Sequence, residues 1–444
     1  MPLPRPWRAP LALLVLVPVL AAAAEPFAND AWFREQREDL VGLYKHLHSH
    51  PELSFREVNT ARRIAEELKK AEANVTTGVG QLGVVGVLKN GAGPIVLVRT
   101  DLDALPVAEE TGIPYASQER TTDRSGKEVS VMHACGHDVH MTCLVGVARW
   151  LAEHKARWSG TVLLIGQPAE EEAGGAKAML DDGLYTRFPK PDYALALHVA
   201  PDHPTGTVAY TPGPAGAGET SVDVVVKGRG GHGSAPHTTA DPIVLAALMV
   251  LDFQTIVSRE IDPIRPAVLS VGSIHGGTKR NIIPDEVRLQ LTLRAYREDV
   301  HDQLIDGIKR RASGLARVHR APEPTVEVLE STPPMVNTPK LVARVIPALA
   351  KALGDANVKE VDPIMGAEDF GLFGRGGVPT FMFGLGTIPP ERIAEAKSKG
   401  ETPPSLHSSK YHPDPVPSLR TGIRAMTAAV CDLLPVKSDS ETGP

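Results

Sequence analysis

Three times in the first half of this chain an apolar run stops abruptly at a polar tip. Residues 95–98 lead into Asp101 and Asp103, residues 161–166 into the acidic stretch QPAEEE, and residues 193–197 into His198. The first of these runs, Ile95 to Val98, does not alternate apolar with polar residues, as a strand covered on one face would. It reads as a central strand buried on both faces. Helical patterns separate the three runs. Strand, tip and helix in repetition predict an α/β fold with a mostly parallel main sheet. Sheets of that kind place their ligands outside the carboxyl ends of the strands. The three tips are therefore expected to meet at one site.

A second stretch lies between the first two tips. HACGHDVH, residues 133–140, crowds His133, Cys135, His137, Asp138 and His140 together. Thiolate, imidazole and carboxylate are the usual ligands of a divalent metal, and a soluble fold has little other reason to gather them. Asp101, Asp103, Glu170, Glu171, Glu172 and His198 can join from the strand tips, and His407 from the LHSSKYH loop.

At 444 residues the chain is long for one core, so two domains are expected. The apolar strand rhythm breaks at a Pro/Gly-rich stretch, residues 211–218, which reads as a linker. Beyond it the pattern predicts strand 220–227, helix 240–259, strands 266–274 and 284–294, helix 299–317 and strand 323–329. That order, β-α-β-β-α-β, is a ferredoxin-like unit. A second breaker at 331–334 returns the chain to α/β character. We therefore expect one domain inserted in another: a catalytic domain of residues 25–213 and 331–436, and an inserted lid or dimerisation domain of residues 214–330. A disordered tail, 437–444, is expected to follow.

A net charge of −6 with no long basic run excludes nucleic acid as an expected partner. Arg5 and Arg8, a short apolar run and Ala21-Ala22-Ala23-Ala24 read as a secretory signal over residues 1–24, so the mature chain is expected to be periplasmic or secreted, without membrane attachment. An uncleaved anchor is the competing reading, and the apolar run is short for it. Of the 3 cysteines, at least one must be unpaired unless it bridges to another molecule. Cys135 reads as a ligand; a Cys135–Cys143 disulfide is the alternative.

The blocks HSHPELSFRE, RTDLDALPVAEETGIPYAS, MHACGHDVH, GQPAEEEAGGAKAMLDDG, ALHVAPDHPTGTV, GRGGHGSAPH, RNIIPDE, MGAEDF and LHSSKYH follow one another in order. In this they resemble the co-catalytic metallohydrolase family of aminoacylases and glutamate carboxypeptidases. The similarity is to its amidohydrolase branch, which includes hippurate hydrolases, N-acyl-L-amino-acid amidohydrolases and plant auxin-conjugate hydrolases.

The resemblance implies a metal-dependent hydrolase that cleaves the amide of an N-acyl or N-aroyl amino acid, or releases a C-terminal residue from a short peptide. It implies two divalent ions per subunit, zinc first and manganese or cobalt next, held by Cys135, His137, Glu171, His198 and His407. Glu170 matches the general base, and Asp103 the acid that orients a ligating imidazole. His232 matches an oxyanion donor and Asn281 a substrate-binding residue, both from the inserted domain, with a homodimer as the expected assembly. Asp101, Asp138 and His140 fall to supporting roles, and His203 and His412 match nothing. Glu172 and Ala173, Val139, the pair Lys279-Arg280 and a long loop at 118–130 depart from the pattern and bear on substrate preference. The reading from another class is an exported metal- or solute-binding protein without catalysis.

Overall fold

The computed structural model describes residues 27–436. The predicted signal segment and tail lie outside the described residues. In chain order the main elements are α1 (Asp30–Ser49), α2 (Val58–Lys70), β1 (Asn74–Val79), β2 (Gly83–Asn90) and β3 (Ile95–Asp101). Then come α3 (His137–Glu153), β4 (Gly160–Gln167), α4 (Gly175–Asp181), β5 (Tyr193–Pro204) and β6 (Val208–Tyr210). The chain continues through β7 (Gly218–Lys227), α5 (Pro242–Arg259), β8 (Ala267–Gly276), β9 (Glu286–Ala295), α6 (Glu298–Val318) and β10 (Thr325–Thr332). It returns with α7 (Pro339–Leu353), β11 (Val358–Glu360), β12 (Thr380–Ile388) and α8 (Pro415–Leu433).

The large sheet has the order β1-β2-β4-β3-β5-β12-β6-β11. Its central pairings, β4 with β3, β3 with β5 and β5 with β12, are parallel. The lack of alternation in β3, β4 and β5 has a direct cause. Val96, Val98, Val162, Leu164, Leu195 and Leu197 pack into the core shared with α1, α3 and α8. Leu97, Leu163, Ile165, Ala194 and Ala196 enter a second core on the other face, with Met179 and Phe370. Each such buried Val or Leu stabilises the fold by about 1.5–3 kcal/mol over leaving it exposed.

The second sheet is antiparallel, in the order β8-β9-β7-β10. With α5 and α6 it follows the β-α-β-β-α-β order and has a core of its own, built on Val222, Val224, Leu289, Leu291, Phe253 and Leu304. Burial alternates along β7 and β9, the pattern of strands packed on one face. Helix α5 is long and apolar enough to cross a membrane by composition. Here its Leu245, Met249, Phe253 and Ile256 face the sheet instead.

Two expectations change. The stretch read as a linker is not loose: residues 213–216 pair antiparallel with Met335–Asn337. Glycine makes the close packing at 216 feasible, since a Cβ there would stand 3.3 Å from Met335 Cβ and 2.9 Å from the Gly366 carbonyl oxygen. The loop at 118–130 is a hairpin, with Arg120–Thr122 paired to Glu128–Ser130. Its turn is held by Asp123, whose carboxylate accepts the Ser125 and Lys127 N–H groups.

Candidate metal centre

Helix α3 begins at His137, earlier than the apolar periodicity alone suggests. The residue before it, Gly136, has φ +75°, and a Cβ there would stand 2.7 Å from Val199 Cγ2. Glycine therefore lets the start of α3 abut the strand that carries His198. The result is a Cys135 Sγ–His198 Nε2 distance of 3.6 Å. His198 is hydrogen-bonded through Nδ1 to the Val199 carbonyl at 2.9 Å, and His137 through Nδ1 to the main-chain carbonyl of Asp103 at 2.8 Å. A carbonyl only accepts, so in both rings Nδ1 carries the proton and the Nε2 lone pair is free to face the cluster. His137 Nε2 lies 3.8 Å from carboxylate oxygens of both Glu170 and Glu171. His407 Nε2 is 3.4 Å from Glu171 Oε2. All five predicted ligands and Glu170 thus converge: donor atoms of Cys135, His137 and His198, of Cys135, Glu171 and His407, and of His137, Glu170 and Glu171 each lie within 4.8 Å of one another.

The residues fit a divalent ion. His137 Nε2 and Glu171 Oε1 are buried without a hydrogen-bond partner, an arrangement that is costly unless a cation completes it. Burial holds the Cys135 thiol above its ordinary range. Burial, then the Glu368 carboxylate, hold Glu170 up. Burial raises Glu171 to about 7. A bound divalent cation is the charge that favours the anionic forms of such groups.

The surrounding shell is partly what was expected. Asp103 meets His137 through its main-chain oxygen, with its carboxylate 3.4 Å away. That carboxylate accepts the Ser54 hydroxyl at 2.6 Å and the Glu171 N–H at 3.0 Å, so it braces a ligand-bearing turn. His140 is a strut: its Nε2 accepts the Val199 N–H at 2.9 Å, and its Nδ1 is 2.7 Å from Asp101. Asp138 pairs at 2.6 Å with His48, whose other nitrogen is 3.1 Å from Glu109. Burial pushes His48 down, but those two carboxylates outweigh it and raise it to about 9. His133 is buried with neither ring nitrogen hydrogen-bonded, and burial pushes it down to about 4. Cys135, Cys143 and Cys431 are free thiols. Two departures from the family pattern touch each other: Arg124 of the 120–130 hairpin pairs with Glu172 at 2.6 Å.

Sequence reasoning passed over Arg99. It is fully buried in β3 and binds Asp101 at 2.7 Å, Glu368 at 2.9 Å and Asp369 at 3.1 Å. A lone arginine inside a central strand demands buried anions, and the acidic pair in MGAEDF supplies them.

The cluster opens into a cavity of about 520 Å³. The wall includes Glu219 of β7 and Arg294 of β9, paired at 3.0 Å, so both sheets contribute. Arg294 was not singled out from the sequence. His203 lines the cavity too, though it belongs to no ligand group. His232 and Asn281 do not line it. They are exposed neighbours: Gly233 N–H donates to the Asn281 carbonyl at 2.9 Å, and the Ser234 hydroxyl lies 2.7 Å from His232 Nδ1.

The profile of peptidase family M20/M25/M40 matches residues 97–430. Thermostable carboxypeptidase 1 of Saccharolobus solfataricus is 36% identical over 391 residues, covering 87% of this chain and 93% of that protein. Hippurate hydrolase of Campylobacter jejuni is 37% identical over 341 residues, covering 76% and 86%. Among solved structures, Bacillus subtilis YXEP, described as a dinuclear metal binding peptidase, is 26% identical with a TM-score of 0.73 and covers 90% of this chain and 99% of its own. A donor cluster at the strand ends, in a chain matched over most of its length, admits one conclusion: this protein belongs to peptidase family M20/M25/M40 and is a hydrolase of amide or peptide bonds.

Proposed function

We propose that the chain hydrolyses the amide bond of N-acyl or N-aroyl amino acids, or frees the C-terminal residue of short peptides. The observation that carries this reading is Glu170, a buried carboxylate lining the same cavity as the ligand cluster and as Arg294. We infer two ions per subunit, zinc by preference, because a thiolate and three imidazoles are soft enough to favour it. Such ions, when bound, lower the pKa of a water toward neutrality and polarise a carbonyl. Glu170 takes the proton from the attacking water and returns it to the leaving amine. Arg294, in the wall of the same cavity, offers a guanidinium to the substrate carboxylate. Purified protein supplied with zinc or manganese is expected to release free amino acid from one of three panels: hippurate-like, acetyl or dipeptide amides. Glu170→Gln should abolish that release while keeping the metal; full activity in this variant overturns the mechanism.

We propose further that His232 serves the cavity of a second copy, which is consistent with its exposure away from the cavity of its own chain. The apolar residues Ile243, Val244 and Leu251 exposed on α5 support association through the helical face of the four-stranded unit. The export reading of residues 1–24 is tested by sequencing the amino terminus of the mature protein.

A further inference from the structure

The turn that carries Glu170 and Glu171 is strained where it begins. Ala169 has φ +48°, a left-handed conformation in which an L-residue is uncommon and costly. Its N–H is not left to the turn. It donates at 2.7 Å to Glu57 Oε1, a carboxylate from the residue just ahead of α2 and distant in sequence. Glu57 is 0% exposed, and its other oxygen, Oε2, is buried with no partner. The same α1–α2 connection grips the site at two further points. Glu52 accepts the Ala104 N–H through its carbonyl at 2.8 Å, and Ser54 donates to Asp103 at 2.6 Å. Asp103 in turn holds the Glu171 N–H. Both ends of the dipeptide unit bearing the base and the ligand are therefore pinned, Ala169 by Glu57 and Glu171 by Asp103. The other main-chain interactions of the Glu57 carboxylate are local, with Phe55 and its own N–H, so Ala169 is the one distant main-chain group among them. Burying a carboxylate fully is a poor way to stabilise a fold, because an apolar side chain of equal volume would serve as well or better.

We propose that Glu57 is a positioning residue: it fixes the left-handed turn at Ala169 and so aims Glu170 and Glu171 at the metal cluster. The role of Glu57 rests on the reading of Glu170 as base and Glu171 as ligand. Burial, then the neighbouring Asp103 charge, raise Glu57 to about 8, so a neutral amide at this position is a close mimic.

The test compares three variants of the full-length protein. Glu57→Met fills the volume without an acceptor; Glu57→Gln keeps the acceptor; Glu57→Met with Ala169→Gly removes the strain that the acceptor offsets. Zinc affinity is read by chelator competition, and kcat and KM on the best substrate of the panel. Loss of a group that orients a metal site typically costs about 10–100-fold in affinity or activity. Glu57→Met is expected to weaken zinc binding and lower kcat on that scale, with KM changed by less than about threefold, the signature of a lost alignment rather than lost binding. Glu57→Gln should stay near wild type, and Ala169→Gly should restore part of the loss, since glycine takes positive φ without strain. If Glu57→Met does not fold, Glu57→Ala takes its place with the same expectation. A variant that only lowers Tm, with zinc affinity and kcat unchanged, overturns the proposal, as does Glu57→Gln behaving like Glu57→Met. Failure of the base assignment shows separately, as full activity in Glu170→Gln, and leaves the zinc-affinity result standing.

Discussion

Two regions of this protein offer histidines for chemistry, and they are held in opposite ways. At the end of the large sheet His137 and His198 are tethered through Nδ1 to main-chain carbonyls, which turns each Nε2 toward the cluster. In the four-stranded unit His232 is exposed, and its Nδ1 contacts only Ser234 of its own loop. The first arrangement is complete within one chain. The second takes its orientation from its own exposed loop and lies away from the cavity of its chain, so its use depends on movement or on another copy. Preorganised groups hold their geometry against small perturbations, while exposed ones take it from whatever docks.

The sharpest way to test that contrast is to remove one group from each side. Glu170→Gln should lower turnover by about 10²–10⁴-fold, the usual contribution of a general base, with zinc content unchanged. His232→Ala should cost about 10²–10³-fold, the scale of one oxyanion donor, again with zinc retained. Mixing the two inactive proteins then separates the readings. If His232 serves a neighbouring cavity, a mixed pair has one intact site and activity returns. If no activity returns on verified subunit exchange, the second-copy reading is broken.

A smaller effect comes from behind the cluster. His48 is raised to about 9 between Asp138 and Glu109, against an ordinary value of 6.5. A raised folded value means that protonation favours the folded state. The stabilisation is fully present below about pH 6.5 and lost as pH rises through about 9, and it amounts to at most about 3 kcal/mol. Melting temperatures at pH 6 and pH 9.5 should differ more for the wild type than for His48→Gln. Equal slopes would show that the buried pair does not titrate with folding. The smallest effect is expected at the hairpin, where the Arg124–Glu172 pair is partly exposed. Arg124→Ala should cost less than about 1 kcal/mol, and high salt should erase the difference. A larger loss would make the hairpin a true clamp on the PAEEE turn.

Much of the site was legible because local sequence sufficed to recognise it. Apolar runs ending in polar tips identified β3, β4 and β5, and Glu170, Glu171 and His198 beyond two of those ends are among the residues that converge. The CGHD block marked Cys135 and His137, and its glycine proved to be the residue that lets α3 meet β5. What stayed hidden depends on contacts between distant segments. Nothing near Glu57 announces that it will meet Ala169, 112 positions away. Arg99 reads as an oddity in a strand until Glu368 and Asp369 arrive from the far end of the chain. The proline- and glycine-rich stretch at 211–218 reads as a linker because composition reports only backbone freedom; pairing with Met335–Asn337 removes that freedom.

The sequence alone determined the chemistry available here: which donors exist, which strand ends carry them, and that a β-α-β-β-α-β unit interrupts the larger sheet. Those are consequences of periodicity and residue type, both local properties. Only the tertiary structure decided which nitrogen of each imidazole faces inward, which carboxylates are left unpartnered, and that His232 and Asn281 stand outside the cavity of their own chain. Orientation and burial are set by neighbours that arrive from far along the chain, and no local pattern encodes them.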